Sequence, residues 1–172
     1  MKLVVGFSNP KDIKIASEVI KIYQGNTPYS HVYIRLYDNE INKWIVYEAS
    51  YGYLHAISFD NFKEHNNIFH EFDFDIDIDQ YLKVKDFCID SLQKRYGFLT
   101  ILGILTKRYL GIKLGKDGDK TYICSEFGTR ILEVTGVLDY KKLSKTPDYM
   151  TPLDLYKITE KINQKIKNLN QH

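Results

Sequence analysis

A chain of 172 residues with 44% hydrophobic content is long enough to bury a core within a single domain. Its formal charge of +2 gives no reason to expect a nucleic acid or an anionic membrane as partner. Two cysteines are too few for a disulfide framework or a cysteine-rich zinc site, so reduced thiols are expected.

The opening MKLVVGFSNPKD has only a very short apolar run before Asn9-Pro10, unlike a signal peptide. The next longest apolar stretch, FLTILGIL (98–105), falls well short of the roughly 20 residues that span a bilayer. A cytoplasmic chain with no stable membrane insertion is expected. Its oligomeric state is not legible.

KLVVGFS (2–8) reads as a short buried strand. Asn9 as a cap and Pro10 at the first helical position then predict a helix, with Asp12 in its first turn. Ile13, Ala16, Ile20 and Tyr23 continue its stripe, and Gly25 ends it. HVYIRLY (31–37) and KWIVYEAS (43–50) predict a hairpin joined by the polar turn DNEIN.

HEFDFDIDID (70–79) alternates, with Phe72, Phe74, Ile76 and Ile78 on one face and Asp73, Asp75, Asp77 and Asp79 on the other. Carboxylates spaced along a strand splay apart, and the calcium-loop pattern is absent, so this reads as a solvated strand face. Residues 80–96 predict a helix with Val84, Phe87, Cys88 and Leu92 inward, which makes Cys88 a packed small hydrophobe. GKDGDK (115–120) is a turn; its glycine spacing is not that of a phosphate loop.

TYICSEFGTRILEVTG (121–136) passes from a β-type run into a helical pattern at Cys124. Phe127, Ile131 and Val134 form its stripe and Gly136 its stop. Thr151-Pro152-Leu153-Asp154 starts a last helix, about 152–168, with capping-box character. Ile158, Ile162 and Ile166 mark it as a surface helix lying on the domain.

Cysteine catalysis needs a thiolate, a base within hydrogen-bond reach, and a group that holds the base in the right tautomer. A helix start favours negative charge on the sulfur, and its free N–H groups can receive an oxyanion. Cys124 is placed for both, with its own N–H and that of Ser125 as donors.

Of the five histidines, His172 is terminal, while His65 and His70 sit in a polar stretch without metal-ligand spacing. His55 follows the second hairpin strand and reads as a loop residue. His31 opens an apolar strand directly after Ser30. Pairing Tyr37 with Asn42 across a four-residue turn sets His31 opposite Glu48, and a two-residue slip leaves them diagonal neighbours on one face. Glu48 lies among apolar residues, where an unpartnered glutamate is rarely found. Cys124, His31 and Glu48 are therefore the candidate catalytic residues, with no metal required.

TPYSHVYIRL, VYEAS, TYICSEF and TPLDLY, in this order, resemble the circularly permuted branch of the NlpC-type, papain-like cysteine hydrolases, in particular its YiiX/YebB-like group. In that branch the strand carrying the histidine comes first and the nucleophile helix late. Its motifs fall on Ser30-His31, Glu48-Ala49 and Tyr122-Cys124-Ser125-Glu126, and the likeness covers roughly residues 3 to 156. Members often carry Tyr-Asp where this chain has Tyr96-Gly97, and the apolar insert from Phe98 to Gly115 is unusual.

The resemblance implies an α+β, permuted papain-like fold: an antiparallel sheet packed against helices, with the nucleophile at a helix N-terminus. It implies an amidase, peptidase, esterase or acyltransferase working through an acyl-thioester on Cys124, without a cofactor. Peptidoglycan peptides, lipid esters and small amides are all within the implied range. Ser30, Tyr96 and Tyr122 are candidates for the substrate pocket; the apolar residues of segment 98–114 read as an extra core helix or as a lid bordering that pocket. Adenain and ubiquitin-like-protein proteases share the His–acid–Cys order, but they use a Gln shortly before the cysteine, and KDGDKTYI has none. A non-catalytic binding module on the same fold is the alternative from another class.

Overall fold

Strands rich in β-branched and aromatic residues assemble into a five-strand antiparallel sheet. In the computed structural model, which describes residues 1–50, 52–96, 121–143 and 146–169, these are β1 (Lys2–Pro10), β2 (His31–Asp38), β3 (Lys43–Ser50), β4 (Tyr53–Ser58) and β5 (Asn66–Asp75). They lie in the order β5-β1-β2-β3-β4. Two short strands, β6 (Arg95–Tyr96) and β7 (Thr121–Tyr122), extend the sheet beyond β4, with β7 parallel to β6. Five helices are described: α1 (Ile15–Tyr23), α2 (Phe59–His65), α3 (Ile78–Ser91), α4 (Cys124–Val134) and α5 (Pro152–Leu169). The architecture is mixed α+β, as the sequence predicts at that level.

Alternation along the strands divides the core. Leu3, Val5 and Phe7 of β1 and Val32, Ile34 and Leu36 of β2 pack with Val84 of α3, Phe127 and Ile131 of α4 and Leu155 of α5. The intervening Tyr33, with Val46, packs under Phe62 of α2 in a smaller cluster. Tyr33 lies so close to β1 that a Cβ on Gly6 would fall 2.0 Å from its ring, so any larger residue there must displace that buried ring.

Several boundaries depart from expectation for identifiable reasons. β1 does not stop at Ser8: after a bulge at Phe7/Ser8, Asn9 and Pro10 pair with β5, and α1 begins only at Ile15. Pro10 is tolerated because it closes the strand, where a missing N–H is harmless. The stripe of α1 shifts accordingly, leaving Ile13 88% exposed while Ser17 is buried. The alternating Asp run ends as a strand at Asp75. Asp77 caps α3 instead, accepting from the Gln80 backbone N–H in a full capping box. α3 in turn stops at Ser91 rather than near 96, because Gln93 turns the chain with φ +65° and Arg95–Tyr96 join the sheet. α2, capped by Ser58 accepting from Asn61 N–H, has no counterpart in the sequence pattern, and β4 takes in His55, which reads as a loop residue in sequence.

The last helix begins as expected. Thr151 Oγ1 accepts from Asp154 N–H and Asp154 Oδ2 accepts from Thr151 N–H. Leu155 and Thr159 face inward, with Ile158 and Ile162 packed against the main core. The segment 98–114 and the turn at 115–120 lie outside the described residues. Among those described, no helix is long and apolar enough to cross a membrane.

Candidate active site

Cys124 is the first residue of α4, following Ile123 in extended backbone at the N-cap position. Phe127 and Ile131 are wholly buried and fix the helix against the sheet, and Gly136, at φ +73°, ends the segment as its sequence predicts. Gly128 lets α4 approach closely, since a Cβ there would meet Leu155 at 2.8 Å and Val32 at 3.1 Å. The N–H groups of the first turn, Cys124 and Ser125 among them, have no carbonyl partner within the helix. The Ser125 side chain is committed elsewhere, donating to the Met150 carbonyl, and Thr129 Oγ1 donates to the Ser125 carbonyl at 2.7 Å.

The hairpin forms, but its register differs from expectation by two residues. Tyr37 pairs with Trp44 and Asp38 with Lys43, so Tyr33, not His31, lies opposite Glu48. The turn moved one residue along. Asp38 Oδ1 takes the N–H groups of Glu40 and Ile41, and Asn42 adopts φ +56° inside the turn. His31 and Glu48 remain diagonal neighbours on one face, and the long side chains close the gap. His31 Nε2 lies 2.6 Å from Glu48 Oε2.

The Cys124 side chain is near enough to His31 to help raise its pKa. With Nε2 engaged by Glu48, Nδ1 is the ring nitrogen left for the thiol. His31 is the first residue of β2, so its ring sits at the strand end, where it meets both the sheet carboxylate and the start of α4. Thiol, imidazole and carboxylate thus cluster at one place in the fold. All three are buried: Cys124 and Glu48 are each 3% exposed and His31 7%.

The electrostatics follow from that cluster. Burial alone would depress the His31 pKa, but Cys124 and Glu48 outweigh it and raise the pKa above the ordinary histidine value. Burial alone would raise Glu48. The hydrogen bonds from His31 and His55 outweigh it and bring the carboxyl down to about 2. Cys88 contrasts with Cys124: mid-helix on α3 and fully buried, it has its thiol pKa pushed far up by burial.

The sequence reading missed one member of this cluster. His55 lies on β4 directly opposite Glu48, with Nε2 3.1 Å from Oε1. The available signal was the Gly52 turn that folds β4 back on β3: Ser50 pairs with Tyr53, and Gly52 has φ +95°. His65 and His70 stand apart and exposed, His70 against the rings of Tyr29 and Tyr156.

Of the three pocket candidates, Ser30 is brought to the site. Its hydroxyl donates to Asn9 Oδ1 at 2.7 Å, and it lines a cleft of about 240 Å³ with His31, Glu48, Ser50 and, from α1, Ser17 and Ile20. Tyr96 and Tyr122 pair through their backbones in the β6–β7 ladder two residues before Cys124, and their side chains are outside the description. Among the described residues, no group of three or more His, Cys, Asp or Glu is placed to hold a metal ion.

Compared with known proteins, the chain matches no family model and no curated protein.

Proposed function

We propose that the protein is a cysteine hydrolase or acyltransferase that cleaves an amide or ester through an acyl-thioester on Cys124. The observation that carries this reading is the buried His31–Glu48 pair, at 2.6 Å, beside a cysteine that opens a helix. His31 Nδ1 takes the thiol proton, and the sulfur attacks the substrate carbonyl carbon. The oxyanion is received by the backbone N–H groups of Cys124 and Ser125. Collapse breaks the bond to the leaving group, which takes the proton back from His31, and leaves the acyl group on sulfur. Water, or an acceptor nucleophile, then gives its proton to His31 and releases the acyl group. Glu48 keeps the imidazole in the tautomer that presents Nδ1 to sulfur and stabilises its charged form.

In this reading the fold is a permuted papain-like one, with the histidine strand preceding the nucleophile helix. Peptide amides and acyl esters both suit the chemistry, and no cofactor enters it. A binding module on the same scaffold is favoured by one observation, the 3% exposure of Cys124.

Alkylation with iodoacetamide near neutral pH separates the two readings. A catalytic pair gives rapid, selective labelling of Cys124 that falls sharply in His31→Ala. A rate no faster than that of a free thiol, unchanged by His31→Ala, supports the binding module.

A further inference from the structure

Glu48 is a buried carboxylate whose two oxygens go to two different imidazoles. Oε2 meets His31 at 2.6 Å and Oε1 meets His55 at 3.1 Å. We propose that His55 is a positioning residue for the reaction, holding the Glu48 carboxylate in the one orientation that aims Oε2 at His31. The inference rests on the reading of Cys124 and His31 as the reacting pair.

A carboxylate bonded through one oxygen can swing, because the terminal torsion of a glutamate is broad and shallow. A second donor on the other oxygen removes that freedom. The backbone makes this donor part of the sheet rather than an incidental contact, since His55 is the direct cross-strand partner of Glu48 in the β3–β4 ladder. Its ring is in turn braced edge-on by Tyr53, with centroids 6.1 Å apart.

The two histidines have different tasks. His31 meets the carboxylate at Oε2 on the side of Cys124, whereas His55 meets it at Oε1. His55 is also the more open of the two, its side chain 20% exposed against 9% for His31, so it closes the outer side of a carboxylate that water would otherwise reach. Water on Oε1 would satisfy that oxygen without fixing its direction.

The test is the second-order rate of iodoacetamide alkylation at Cys124 near pH 7, read by peptide mass mapping, with melting temperature recorded for each variant. His55→Leu keeps bulk and removes the donor, and the rate should fall about tenfold or more. His55→Gln places an amide N–H near the position of Nε2, and its rate should return to within about threefold of the parent. His55→Asn, too short to reach, should behave like His55→Leu and takes its place if the leucine variant does not fold. A donor-less variant that reacts at the parental rate, or a glutamine variant as slow as the leucine variant, overturns the proposal. His31→Ala separates the layers. If it is slow while the His55 series is indifferent, only the positioning role is wrong. If His31→Ala itself reacts at the parental rate, the underlying catalytic reading fails as well.

Discussion

Replacing Glu48 with Gln perturbs the candidate site at its most informative point. The amide has the shape of the carboxylate but carries no charge and offers one acceptor oxygen and one NH2 group. Two ring nitrogens now donate to the two carboxylate oxygens, at 2.6 and 3.1 Å. A glutamine can accept from only one of them, and the other imidazole must change tautomer. In either arrangement His31 loses its anionic partner. A hydrogen bond to a buried charge contributes roughly 1.5–3 kcal/mol, and the shorter bond belongs at the upper end of that range. A loss of about 2–3 kcal/mol of imidazolium stabilisation corresponds to a fall of roughly 30- to 150-fold in rate. The fold should survive at a lowered melting temperature, because the amide keeps the side chain's shape and one acceptor while His31 loses its buried counter-charge. The assay is iodoacetamide alkylation of Cys124 near neutral pH, with thermal unfolding in parallel. A Glu48→Gln protein that melts like the parent and alkylates at the parental rate would refute the role given to Glu48.

Three further outcomes follow from the geometry. In native protein, brief alkylation should label Cys124 well before Cys88, whose thiol is held protonated by burial; equal labelling in peptide maps contradicts the nucleophile assignment. The contribution of Glu48 to stability is complete above its ordinary value of 4.5 and is lost as pH falls through its folded value of about 2, whereas that of His31 is complete below 6.5 and is lost as pH rises through its raised folded value. Melting temperature should therefore plateau between about pH 4.5 and 6.5 and decline on both sides, and an acid limb unchanged in Glu48→Gln would show that other carboxylates cause it. Gly6→Ala should cost about 3 kcal/mol, or roughly 6–12 °C in melting temperature, because the new methyl overlaps the Tyr33 ring; an unchanged melting curve would mean that Tyr33 moves freely.

What could be read from the sequence was set by how local the signal was. The start of α4 at Cys124 was legible because an apolar stripe of helical period and a terminal glycine fall within sixteen residues, 121–136. The His31–Glu48 partnership was legible because side-chain alternation tolerates a register error of two. The register itself was not, since it depended on Asp38 folding its carboxylate into the turn. His55 was missed because its role exists only once β4 pairs with β3, and the short run YLHAIS gives little periodicity of its own. The same holds for Asp77. In the one-dimensional pattern it continues an alternating strand, and only the capping bond to Gln80 shows that the strand has already ended.

The central claim, an acyl group carried on Cys124, can be tested without knowing the natural substrate. Incubation with p-nitrophenyl acetate, followed by rapid acid quench and intact-protein and peptide mass analysis, reads the intermediate directly. The account predicts one acetyl group per chain, on Cys124, formed in a burst of p-nitrophenol and then lost to water, and absent in both Cys124→Ser and His31→Ala. Acetylation confined to lysines, or an acetyl on Cys124 that forms equally well in His31→Ala, would contradict it.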